Sequence, residues 1–343
     1  LNLKEFAGLL GLSPTTVSRA LGGYPEVREE TRRRVTEAAK RHGYRPNRRA
    51  AALASGRAMA IGHVIPTALN QEVVNPVFAD FISGAGEVYS SENYDLTLSI
   101  VTDGSEDRVY RQMAQTRSVD GVIVHGPRIG DQRIPLLQEL GLPFVVHGRL
   151  PGEHAPFNFV DIDNIRAFHK ATDLLLDLGH RRIALLNGNL DMDFACRRRD
   201  GFASAMSGRG VSVDPDLLFA GDMSETNGHG AARRMLEGPN PPTAFLVSSL
   251  TMAIGVRRAT HELGLRLGQD VSLVTHDDVL SYLANGPQDA PLFTATRSSV
   301  RAAGRRCAEI LIEQITRPGL APIQDIWECE LVIGASTGPA PNA

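Results

Sequence analysis

The sequence predicts a small all-α helix-turn-helix domain followed by a much larger α/β body. Three observations carry that reading. Apolar residues recur at helical spacing on both sides of a glycine within the first 21 residues, short runs of Val, Ile and Leu alternate with amphipathic stretches from Met59 onward, and net charge changes sign between the two regions. The 343 residues exceed one small core, and 42% hydrophobic against 22% charged residues describes a globular chain, not a disordered one.

Leu3, Phe6, Leu9 and Leu10 share one helical face, and Gly11 ends that helix. Ser13 offers a side-chain oxygen to cap the next helix, and Pro14 takes its first position, where a missing N–H is harmless. Val17, Ala20 and Leu21 turn inward, which leaves Thr15, Thr16, Ser18 and Arg19 outside. A third helix from about Glu29 to His42 adds Val35, Ala38 and Ala39 to the core, and Gly43 stops it. Residues 1 to 57 hold 12 Lys and Arg against 5 Asp and Glu, leaving 24 against 34 for the rest, so only this first segment suits a polyanion. A solvated face on small helices would also carry such a cluster. The small polar side chains beside Arg19 favour DNA, because a helix entering a major groove about 12 Å wide must offer donors and acceptors to base edges.

In the body, the runs AIGHVIP, DGVIVHG, LPFVVHGR, RRIALLNG, PTAFLVSS and DVSLVTHDD are short and branched, as buried parallel strands are. Cys196, Cys307 and Cys329 are scattered, with no CxxC or Cys/His spacing, so neither metal nor other cofactor is expected. No basic-then-apolar leader and no run of about 18 apolar residues is present, which predicts a reduced, cytoplasmic setting without a membrane partner. The tail ASTGPAPNA is expected to fray.

The stretches LKEFAGLLGLSPTTVSRAL, YPEVREETRRRV and GYRPNRRAAALASGR resemble the LacI/GalR transcription regulators, and the likeness continues to about residue 338. It implies a helix-turn-helix DNA-binding domain at 1–44, a hinge helix at 45–57 and an effector-binding and dimerisation domain at 58–338. That last domain resembles a periplasmic sugar-binding protein, with lobe one at about 58–160 and 291–324 and lobe two at about 161–290 and 325–338. The implied partners are a second copy of the chain, a pseudo-palindromic double-stranded operator and a small sugar effector. Ser13, Pro14, Thr15, Thr16, Ser18, Arg19 and Tyr24 would meet DNA from the first domain, and Asn47, Arg48 and Ala50 from the hinge, with Leu53 as a minor-groove wedge. The hinge is too short to be helical alone, so it would fold only when docked. Gly22 and Arg28 stand where the family usually has Asn and Ser, and losing that Ser removes the third helix's cap at a cost of about 1 kcal/mol.

In such lobes a ligand sits beyond the carboxyl ends of the strands. Residues following the apolar runs give Thr67, His125, His147, Arg149, Ser249 and Asp277 as effector candidates, and the resemblance adds Arg198 in RRRDGF and Arg297 with Ser298 in TATRSS. Phe78 and Phe194 would supply apolar walls. Asp and Arg forks with aromatic cover suit a polyol. Three arginines keep an anionic ligand open. Plainer roles stay open for each residue: His147 as a satisfied core histidine, Arg149 in an interlobe salt bridge, Asp277 as a helix cap. Ser249 and Leu250 also replace the family's usual Asn-Asp pair.

No GxSxG, HExxH or Walker loop appears, so an enzyme with a DNA-binding appendage is disfavoured, and an exported solute-binding protein would need a leader and no helix-turn-helix. The segments PFVVHGR, FVDIDN, RRRDGF, VTHDD, TATRSSVRAAG and ASTGPAP resemble repressors beside α-glucoside uptake operons in alphaproteobacteria, which points to trehalose, sucrose or maltose. Inositols, pentoses and purines are the alternatives.

Overall fold

Three helices, α1 (Leu3–Leu10), α2 (Pro14–Leu21) and α3 (Glu29–His42), form the N-terminal unit of the computed structural model, which describes residues 1–22, 24–44, 56–66, 76–101, 104–150, 152 and 156–341. Asn2 and Glu5 close a capping box on α1, and Gly11 ends it in the left-handed region. Ser13 Oγ accepts from the Thr16 N–H at 3.0 Å, which starts α2. Phe6, Val17, Ala20 and Val35 fill the core, with Tyr44 stacked on Phe6 at 4.2 Å between ring centroids. Arg28 gives α3 no side-chain cap. Glu29 and Glu30 in its first turn, and Lys40, Arg41 and His42 in its last, complement the helix dipole instead.

The body holds two six-stranded sheets. The first comprises β1 (Ala60–Pro66), β2 (Asp95–Val101), β3 (Gly121–His125), β4 (Phe144–His147), β5 (Asn158–Ile162) and β11 (Gln324–Trp327). Its order is β11-β5-β4-β3-β1-β2, all parallel. The second comprises β6 (Ile183–Asn187), β7 (Leu218–Ala220), β8 (Ala244–Val247), β9 (Ser272–Asp277), β10 (Thr294–Arg297) and β12 (Glu330–Val332). Its order is β12-β10-β9-β8-β6-β7, parallel except for β12.

Strand alternation assigns each apolar run to two cores. Val122 and Val124 of β3 pack under α5 (Glu106–Thr116) and α6 (Arg133–Leu140), while Ile123 joins α4 (Pro76–Ser91) and α11 (Val300–Thr316) on the other face. In the second sheet, Ala184 and Leu186 of β6 meet α9 (Glu225–Leu236) and α10 (Leu250–Glu262), and Ile183 and Leu185 meet α7 (Asn164–Asp177) and α8 (Asp193–Gly208). Helices α4 and α11 touch backbone to backbone: a Cβ on Gly84 would lie 1.9 Å from the Arg301 carbonyl oxygen, and one on Gly304 would lie 2.1 Å from that of Phe81.

The expected lobe limits at 161, 291 and 325 shift. β5 runs to Ile162 and β11 to Trp327 within the first sheet, because β11 pairs along its whole length with residues 159–162 of β5. β10 belongs to the second sheet, between β9 and β12, and not to lobe one. The chain therefore crosses between sheets after residues 162, 297 and 327.

Candidate functional site

On the N-terminal unit Ser13, Pro14, Thr15 and Arg19 are exposed, Thr16 and Ser18 half-buried, and Tyr24 exposed beside them. These side chains lie on the turn and the outer side of α2, opposite Val17 and Ala20. Two of the arginines serve the unit itself. Arg32 donates to the Glu29 carboxylate at 2.7 Å and to the Tyr24 carbonyl at 2.9 Å, and Arg34 donates to the Leu10 carbonyl. Asn47, Arg48, Ala50, Leu53 and Thr67 lie outside the described residues.

A cavity of about 200 Å³ opens between the carboxyl ends of the two sheets. Of the expected effector residues it is lined by Phe78, His125, His147, Arg149, Phe194, Arg198 and Ser298. Arg198 is buried and rigidly held: Nε donates to Asn164 Oδ1 at 2.8 Å, Nη1 donates to the Ser248 carbonyl at 2.7 Å, and the guanidinium lies 5.0 Å from the centroids of both Phe168 and Phe194. Its Nη2 makes no hydrogen bond among the described residues, which leaves that end of the fork to the cavity.

Arg149 and Asp161 meet at the ends of β4 and β5. Nε of Arg149 is 2.9 Å from Asp161 Oδ2, near enough for an ion pair, yet both atoms are buried and misaligned for a hydrogen bond. Their partnership lies within one sheet, so it is not an interlobe bridge. Burial raises the Asp161 carboxyl to about 6 against the pull of Arg149. Asp278 behaves differently: burial alone would raise it, but His276, Arg198 and His147 hold it below the ordinary aspartate value. The imidazoles of His147 and His125 stay neutral, since burial lowers His147 to about 4 and His125 well below its usual value. Phe81 covers both rings, at 4.6 Å from His147 and 4.7 Å from His125.

Three expected residues point elsewhere. Asp277 does not line this cavity; its Oδ1 accepts from the Val279 N–H at 2.8 Å, and with Arg297 it borders a separate pocket near Leu283. Alternation explains the correction, since His276 and Asp278, one residue to either side, line the cleft. The same alternation places Ser298 in the cleft and Arg297 outside it. Ser249 caps α10, accepting from the Met252 N–H at 3.2 Å, while Ser248 lines the cavity. Sequence reasoning also missed Asp161, Asn164, Asp193 and Trp327, which all line it. FVDIDN held a usable signal, because it ends a strand of the same type as its neighbours.

Residues 2–47 match the family model of bacterial regulatory proteins of the lacI family, and residues 172–337 match that of a periplasmic binding protein-like domain. Over 341 residues the chain is 45% identical to the HTH-type transcriptional regulator AglR of Rhizobium meliloti (strain 1021), covering 99% of this chain and 95% of the relative. It is 33% identical to the HTH-type transcriptional regulator RafR of Escherichia coli, over 95% of this chain and 96% of that one. Among solved structures, a lac repressor dimer bound to operator and the anti-inducer ONPF matches with a TM-score of 0.81 at 25% identity, covering 98% of this chain and 99% of that one. A complex of the transcriptional regulator CelR with cellobiose matches with a TM-score of 0.71 at 29% identity, over 98% and 99% of the two chains.

Proposed function

Since this chain belongs to the lacI family of bacterial regulatory proteins, and is thus a transcriptional regulator and not an enzyme, we propose that a neutral α-glucoside in the interlobe cavity controls its grip on an operator. The observation that carries the ligand class is the Arg149–Asp161 pair, whose facing atoms are buried without a hydrogen bond in an aromatic-walled cleft. A hydroxyl both donates and accepts, so one sugar oxygen can serve the carboxylate and the guanidinium together. The charges around the cavity point the same way. Arg149 and Arg198 face Asp161, Asp193 and Asp278, with Asp193 bound to Arg197 at 2.6 Å, which leaves no cationic surplus for a phosphate or carboxylate. A cellobiose complex of a relative with the same architecture supports a glucose disaccharide as a ligand of suitable size. Trehalose, sucrose and maltose remain the leading choices.

The operator reading rests on the exposed face of α2 and the basic first segment. A symmetric dimer suits a pseudo-palindromic site. On edge strand β2, Leu96, Leu98 and Ile100 are 42%, 41% and 52% exposed at alternate positions, an apolar stripe that a second copy of the chain would cover. A regulator of this kind works beside the chromosome, in the cytoplasm. The test is calorimetric titration of the full chain with trehalose, sucrose and maltose, beside a sugar phosphate, an inositol and a purine, followed by operator binding under each ligand. Binding by the phosphate or the purine alone would reject the α-glucoside.

A further inference from the structure

Behind the cavity, three polar side chains form a line that leads away from the ligand into the apolar interior. His63 of β1 is fully buried, with Nδ1 2.8 Å from Nε2 of His125 and Nε2 2.9 Å from the Tyr89 hydroxyl. The His63 and His125 rings are nearly parallel at 5.1 Å, and Phe78 and Phe81 meet the His125 ring edge-on at 5.1 and 4.7 Å. Tyr89 is also buried, and its hydroxyl has no other hydrogen-bond partner among the described residues.

Resting on the reading of the cleft as an effector site, we propose that Tyr89 and His63 are positioning residues that lock His125 as an Nδ1–H donor to an oxygen of the bound sugar. A neutral imidazole carries one donor and one acceptor, so protons can run along this line in only two directions. If His125 Nε2–H donates to His63, then His63 donates to Tyr89, and the phenolic proton is left buried with no acceptor. If Tyr89 donates to His63 Nε2, His63 donates from Nδ1 to His125 Nε2, and every proton along the line has an acceptor except the one on His125 that faces the cavity. The second direction places the remaining proton of His125 on Nδ1. That atom has no hydrogen bond among the described residues, and His125 lines the cavity. Burial keeps both imidazoles neutral, as the single-file order requires. The donor so fixed is uncharged, and suits a hydroxyl, ring or glycosidic oxygen. A free histidine would present either tautomer, and the one bare at Nδ1 would repel such an atom.

The experiment uses the full chain with 15N-labelled histidine, read by long-range proton–nitrogen correlation before and after adding trehalose. The expected spectrum shows His125 protonated at Nδ1 and bare at Nε2 without ligand. Tyr89→Phe, which removes only the hydroxyl, is expected to mix the two tautomers and weaken trehalose binding by about fivefold, with operator affinity unchanged and the melting temperature slightly lowered because His63 Nε2 loses its partner. An Nε2–H His125 in the wild type overturns the proposal, and so does a Tyr89→Phe spectrum identical to wild type. Trehalose failing to bind a wild type that shows the Nδ1–H tautomer counts against the α-glucoside reading and leaves the tautomer lock supported.

Discussion

Asp80 of α4 grips Ser281 across the interlobe boundary: one carboxylate oxygen accepts the Ser281 N–H at 2.6 Å and the other accepts its hydroxyl at 2.7 Å. Asp80 belongs to the helix layer of the first sheet, whereas Ser281 follows β9 of the second, three residues after the cleft-lining Asp278. Between them Val279 is held at a φ of 56°, an uncommon conformation for a β-branched residue. Opposite, the lobes are joined by backbone bonds from Ile129 to Asp191 and from Asp193 to Pro127. The cleft is thus clasped on two sides.

Asp80→Ala removes both charged hydrogen bonds and leaves the exposed Ser281 to water, so the closed arrangement loses roughly 2 kcal/mol relative to an open one. Effector affinity is expected to fall by about tenfold or more, because a ligand gripped by both lobes must supply what the clasp no longer does. Calorimetric titration with the sugar checks this. Equal affinity in mutant and wild type would show that the clasp is indifferent to ligand.

Asp161→Asn separates ligand binding from stability. Ionising Asp161 in the folded state is unfavourable, as its rise to about 6 records, so removing the charge offsets the loss of Arg149's partner. Unfolding free energy at pH 7.5 is expected to change by less than about 1 kcal/mol, while sugar affinity drops by about tenfold to a hundredfold. Urea titration and calorimetry give the two numbers. A destabilisation near 4 kcal/mol would mean that the pair is a structural ion pair instead.

What was legible beforehand follows from the range of each interaction. The helix-turn-helix rests on local signals, Gly11, Ser13, Pro14 and the spacing of Phe6, Val17 and Ala20, and its helices lie where those signals place them. The strand runs were readable for the same reason, and the cleft lies at their carboxyl ends. Asp277 and Asp278 are adjacent in sequence, and only the phase of β9 in its sheet tells which one lines the cleft. Arg149 and Asp161 come together through the pairing of β4 with β5, and His63, Tyr89 and His125 through three separate elements. No local pattern marks such contacts. TATR is too short a run to show in sequence which sheet it joins, and only its pairing with β9 and β12 places it in the second.

Acid is expected to loosen the chain earlier than its carboxylates alone would. Burial lowers His63 to about 3, His147 to about 4 and His125 well below 6.5, so an unfolded chain binds a proton at each site that the folded chain refuses. Asp161 opposes this, since its raised pKa means that the folded state takes up a proton near pH 6 and the unfolded state only near 4. Around pH 5 the unfolded chain therefore holds about two more cleft protons, and stability falls with decreasing pH at roughly 2.7 kcal/mol per unit. Urea unfolding at pH 7, 6 and 5 measures the slope. A flat profile would contradict the neutral imidazoles.

Two arginines of the first domain should separate base reading from domain stability. Arg19 is exposed on α2 beside Thr15, whereas Arg34 donates to the Leu10 carbonyl and so ties α3 to the end of α1. Arg19→Ala is expected to lose about 1 to 3 kcal/mol of discrimination among operator variants if it meets a base edge, with the melting of the first domain unchanged. Arg34→Ala should instead destabilise the three-helix unit and weaken all sequences alike, since a frayed unit presents no surface. Both variants keep most of the 12 basic residues of segment 1 to 57, so log affinity should still fall steeply with log salt, by about 0.9 per phosphate contacted. Fluorescence anisotropy on an operator series at several salt concentrations reads discrimination, affinity and salt slope, and thermal melting of the first domain reads its stability. If Arg19→Ala weakened every sequence equally and lowered the salt slope by about one, Arg19 would be a phosphate contact, and base reading would pass to Thr15, Thr16 and Ser18.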